Sequence, residues 1–165
     1  MTTNNDLGTR TLGEELWLWQ RRQRSPAGNA LGALGSGANI AQAAEMLGVG
    51  AQRLGAALTG HAPVREAEAL LTRARERDGS IEPTLGELCR LARRREGATL
   101  LATASALRLT TVAYLRAEAG GDPRVIAWWH VAGYRFPAAS VAASEAEIDV
   151  EPRTEEEAEI GADPL

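Results

Sequence analysis

Apolar residues along this chain recur at helical spacing, and capping residues interrupt them where strand-like alternation would not. Behind Thr11, Leu12, Leu16 and Trp19 fall at i, i+4 and i+7; behind Thr84, Leu85, Leu88 and Ala92 fall at i, i+3 and i+7, with Leu91 beside them. Both starts carry Thr-x-x-Glu, Thr11 with Glu14 and Thr84 with Glu87. In that pattern the hydroxyl accepts from an early amide and the carboxylate reaches back to the cap. Both runs end in arginines, which suit the negative end of the helix dipole. Asn39 with Gln42 predicts another start, a helix to Leu47, a break at Gly48 and a second helix to Leu58. Thr99 and Thr110 predict the corresponding pair, ending at Leu107 and Ala119 and closed by Gly120-Gly121. Pro63 opens a helix whose Val64, Ala67, Leu70, Leu71 and Ala74 share one face, ending at Asp78-Gly79. Pro123 opens a last one through "PRVIAWWHVAGYRF". The fold class expected is all-α.

The elements repeat. "TLGEELWLWQRR" from Thr11 and "TLGELCRLARRR" from Thr84 share seven of twelve positions at a shift of 73. Residues 39–60 lie over 99–120 at a shift of 60, with Asn39 over Thr99, Ala44 over Ala104, Leu47 over Leu107 and Gly60 over Gly120. The surplus of 13 residues falls in the Gly-rich stretch 25–38, read as a loop. Two units follow, 8–79 and 80–137. The Ala/Glu-rich remainder, 138–165, reads as a disordered acidic tail.

Composition narrows this further. Seven aromatics in 165 residues suit two small cores better than one large core. All 18 basic residues are arginine, and the tail from Ser144 holds nine acids against Arg153 alone. The body is therefore net positive although the chain is −4. No apolar run approaches a membrane span and no apolar leader precedes the first cap, so a cytoplasmic, nucleoid-associated protein is expected. Cys89 is a lone cysteine at a core position, and His61 and His130 lack metal-ligand spacing. With no phosphate-binding glycine loop and no nucleophile-base pair, neither an enzyme nor a metal, cofactor or small-molecule substrate is expected.

"RRREGATLLATASALRLTTVAYLRAEAGGDP" resembles the helix-turn-helix of the phage Cro and repressor (XRE-type) family. The shared positions are Gly97, Thr99, Ala104, Leu109-Thr110, Tyr114 and Glu118-x-Gly120. "GANIAQAAEMLGV" in the first unit is also similar to the Fis-type helix-turn-helix. Where the family has a turn glycine, the first unit has Gly48 and the second has Arg108, which must accept an uncommon backbone conformation or shift the turn.

The resemblance implies two tandem helix-turn-helix units and sequence-specific binding of double-stranded DNA, as in a bacterial or phage-type transcription regulator or repressor. In that family the second helix of each pair enters the major groove. The implied readers are Ala51, Gln52 and Arg53 in the first unit, and Thr111, Val112 and Ala113 in the second. Gln and Arg suit adenine and guanine, so the first unit has the richer chemistry and Arg53 is its leading residue. Thr99, Thr110 and Arg116 are placed for phosphates.

Several features stay open in the sequence. The clusters containing Arg21, Arg22, Arg94 and Arg95 contact phosphate or are solvated helix ends. Trp128, Trp129 and Tyr134 form a homodimer or partner surface, or wall a cleft between the units. The rival to DNA binding is a helix-turn-helix acting through protein contacts: an anti-repressor, an antitoxin-like regulator or an RNA polymerase adaptor.

Overall fold

The computed structural model describes residues 4–23, 38–79 and 82–141. Among these residues the protein is all-α, with one isolated parallel bridge between Asp6 and Arg135. The helices are α1 (Leu12–Arg22), α2 (Ile40–Met46), α3 (Ala51–Leu58), α4 (Val64–Asp78), α5 (Leu85–Glu96), α6 (Leu100–Ala106), α7 (Thr111–Ala119) and α8 (Pro123–Val131). None is long and apolar enough to cross a membrane. The Gly-rich stretch lies outside the described residues, apart from the buried Ala38, and so does most of the acidic tail. Ala138–Val141, which the sequence assigns to that tail, form a helical turn on Pro137.

The caps form as their residues predict. Thr11 and Glu14 make a reciprocal capping box, and so do Asn39 and Gln42. Thr84, Thr99 and Thr110 accept from Glu87, Ala102 and Ala113 amides respectively. Such caps are worth about 1 kcal/mol each. Glu87 differs from its counterpart Glu14: its carboxylate is engaged by Arg22 of α1 instead of its own cap.

Burial divides the molecule into two cores. The first gathers Leu16, Trp19, Leu54, Leu70 and Leu71 with the small Ala43, Ala44 and Ala57. The second gathers Leu88, Leu91, Tyr114, Val125, Trp129 and Tyr134 with Ala92 and Ala104. Ala44 and Ala104 are 1% exposed, as helix crossings require, and Leu54 and Tyr114 are fully buried anchors of α3 and α7. Each opening helix touches the end of its unit's second turn helix through a glycine. A Cβ on Gly13 would stand 2.7 Å from the Ala57 carbonyl, and one on Gly86 would stand 2.3 Å from the Glu118 carbonyl. The repeated Thr-Leu-Gly-Glu thus contains a cap, a core leucine and a close-packing glycine.

Two features depart from the sequence reading. The last helix stops at Val131, because the chain turns at Gly133 with φ 100 and drops Tyr134 back onto Trp129. Those rings meet edge-on with centroids 5.7 Å apart. The leading segment is also woven into the other unit. Leu7, outside the first unit as read from sequence, is fully buried in the second core. There Leu7 N donates to Arg135 O at 3.0 Å, and Arg135 N to Asn5 O at 2.8 Å.

Arg108 takes the left-handed conformation at φ 56, matching Gly48 at φ 66 at the equivalent position. A side chain there costs about 1–2 kcal/mol. Arg108→Gly is expected to raise stability by about 0.5–1 kcal/mol after the added freedom of the unfolded chain is subtracted. Urea unfolding midpoints check this, and a lower midpoint for the variant would show that the turn is unstrained.

Candidate nucleic-acid interface

The pairs α2–α3 and α6–α7 each consist of two short helices joined by a tight turn. In both turns the cap residue, Leu47 or Leu107, bonds back into the first helix, and Val49 or Leu109 donates to the carbonyl of Ala44 or Ala104. With Leu54 and Tyr114 turned into the cores, the N-terminal turns of α3 and α7 face outward.

Ala51, Gln52 and Arg53 are all exposed on α3. Arg53 is not free, however: its Nε donates to the Glu66 carboxylate at the start of α4. Glu45 is exposed on α2 as well, so this face carries both signs of charge. On the second unit, Val112 is 45% exposed, Thr111 and Ala113 are half-buried, and Arg116 is exposed. Arg108 is exposed in the turn. Among the described residues neither Arg108 nor Arg116 makes an ion pair, and the sole acid on α6 and α7 is the buried Glu118. Among the described residues the second unit therefore presents the cleaner positive face, although the side chains in the first turn of α7 are mostly methyl-bearing. Thr99 and Thr110 use their hydroxyl oxygens as caps, at 3.1 Å to the Ala102 and Ala113 amides. Their hydroxyl protons remain available to an acceptor such as phosphate.

The arginine clusters are placed differently from the phosphate-facing expectation. Arg22 reaches across to the other unit, with Nε 2.8 Å and Nη2 2.6 Å from the Glu87 carboxylate, and Nη2 3.0 Å from the Glu82 carbonyl. Arg95 does the same in reverse, at 2.8 Å to both Glu14 carboxylate oxygens and 2.8 Å to the Thr9 carbonyl. Arg94 donates to the Leu58 carbonyl at 3.2 Å and lies 4.7 Å over the Trp17 ring. Arg21 is half-buried, and desolvation together with Arg90 and Arg93 pulls its guanidinium down to about 10. Arg22, Arg94 and Arg95 join the units, whereas Arg21 is buried with its Nε unpartnered among the described residues. The reason is geometric: α1 and α5 face each other, so their polar ends meet each other before any external anion.

The aromatic segment is also redistributed. Trp129 and Tyr134 are 2% and 1% exposed and belong to the second core, which removes them from a partner surface or an inter-unit cleft. Trp128 points out at 39% exposure, beside Val131 at 86%. The aromatic ring between the units is Trp17, packed against both cores. Burial pushes the Cys89 thiol up to about 12, so it stays protonated and unreactive.

The buried, ion-paired role of Glu118 was missed. Glu118 has no exposed surface and is held by Arg90 Nε at 3.2 Å and Arg93 Nε at 3.1 Å. Its signal was present in the repeat, because Leu58 occupies the equivalent position in the first unit. An acid at an apolar repeat position is a buried acid that needs cations nearby.

Compared with known protein families, curated proteins and solved structures, the chain matches none of them.

Proposed function

We propose that the chain is a sequence-specific DNA-binding regulator that presents the N-terminal turns of α3 and α7 to the major groove. The observation that carries this reading is the α6–α7 face. Its exposed Arg108 and Arg116 make no ion pair among the described residues, and the capped start of α7 lies between them in sequence. A guanidinium in the turn before α7 and a second in the last turn of that helix suit the phosphates that flank a groove. The exposed Gln52 and Arg53 of α3 add base-reading chemistry, with Glu66 as a competitor that DNA must displace from Arg53. The cytoplasm and the nucleoid are the corresponding location.

Binding to duplex DNA measured against salt tests this. Each phosphate contact contributes a slope of about −0.9 in log K against log salt. Arg108→Ala and Arg116→Ala should each flatten the slope by about one unit without altering sequence preference. No detectable binding at about 50 mM salt would reject the proposal. The second reading, docking of a protein partner, rests on the exposed Trp128 and Val131 of α8 and would then take its place.

A further inference from the structure

The two units follow each other in the sequence, but their contacts are reciprocal. Arg22 meets Glu87 and Arg95 meets Glu14. Shifting Arg22 by 73 gives Arg95, and shifting Glu14 by 73 gives Glu87, so each unit offers the other the same pair. The backbone contacts obey the same rule, since Arg22 donates to the Glu82 carbonyl and Arg95 to that of Thr9, and 9 shifted by 73 is 82. Residue 14 pairs with 95 and 22 with 87, so α1 and α5 run antiparallel where they meet. Contacts in which i of one unit meets j of the other, and j of the first meets i of the second, define a two-fold relation. A direct head-to-tail stacking would use different surfaces on the two sides.

From this we infer that one chain, acting as a covalent pseudo-dimer, binds a DNA site of two inverted and unlike half-sites. The inference rests on the DNA-binding reading above. Inversion follows from the two-fold relation, because α3 and α7 are exchanged by it and so approach opposite strands in the same sense. Unlikeness follows from the readers: Gln52 and Arg53 select adenine and guanine, whereas Thr111, Val112 and Ala113 offer methyl groups for thymine. A fixed spacing follows from the ties between units, which are the two bidentate ion pairs and Leu7 locked into the second core. An ordinary homodimer reads a palindrome. This chain carries both halves of its dimer and is free to let them diverge.

The test is selection of full-length protein on random duplex DNA, followed by the mass of the complex with the enriched site. Two different motifs in opposite orientation at one spacing, bound by one chain, are expected. Arg53→Ala should lower affinity about tenfold through one half alone. Thr111→Ala with Val112→Ala should relax the other half alone. A direct repeat, a lone half-motif, or a true palindrome bound by two chains would overturn the inference while leaving DNA binding intact. Failure to enrich any sequence, at low salt as well, would overturn both.

Discussion

Replacing Glu118 with leucine is expected to lower the unfolding free energy by about 3–5 kcal/mol, the largest effect of any single side chain considered. The carboxylate is fully buried and is the shared acceptor of Arg90 and Arg93, whose side chains are 11% and 17% exposed. Removing it strands two nearly desolvated guanidiniums beside Arg21, a third cation already destabilised by burial and then by their field. The first unit shows the apolar solution to the same problem. Leu58 stands where Glu118 does, Trp17 where Arg90 does and Gln20 where Arg93 does. Glu118→Leu combined with Arg90→Trp and Arg93→Gln should therefore unfold at a higher urea concentration than Glu118→Leu alone. A loss below about 1 kcal/mol for the single change, within the range of exposed pairs, would mean that the carboxylate is solvated.

What could be read beforehand divides by the range of the interactions. Caps were legible because a Thr or Asn and the amide it serves are three residues apart; each such hydroxyl or amide cap forms, while the Thr84–Glu87 box stays half made because Arg22 takes the Glu87 carboxylate. The left-handed turn at Arg108 was legible from its alignment with Gly48. Trp128 and Trp129 were known to diverge as neighbours on a helix, but which of them entered a core depended on how α8 lies against α5. Tyr134 depended on a reversal at Gly133 that places it on Trp129, and its hydroxyl on Glu96 at 2.8 Å. The arginines were the hardest to place. Arg22 and Arg95 find acceptors 65 and 81 residues away, and no local pattern distinguishes a guanidinium aimed at phosphate from one aimed at a sister unit. The repeat held that information in an unexpected form: a phrase that conserves an acid at its start and a base at its end is complementary to an antiparallel copy of itself. Of the positions expected to read bases, Ala51, Gln52, Arg53 and Val112 are exposed, but the half-burial of Thr111 and Ala113 and the competition of Glu66 for Arg53 were not legible.

That complementarity sets the second large effect. Arg22→Ala or Glu87→Ala alone should cost about 1–3 kcal/mol, because each leaves a partner that is less than one-fifth exposed without its bidentate counter-charge. The Arg22–Glu87 pair is the cleaner of the two to cut, since Glu14 also serves the Thr11 cap and its loss would damage α1 itself. A double-mutant cycle on Arg22 and Glu87, read from urea unfolding of the full chain, measures the contact between units with local effects cancelled. The account predicts a coupling of about 1–2 kcal/mol for Arg22 with Glu87, and none for Arg22 with Glu14, which lie on the same helix at opposite ends. Strictly additive changes at Arg22 and Glu87 would contradict the two-fold joining of the units, and with it the inverted DNA site.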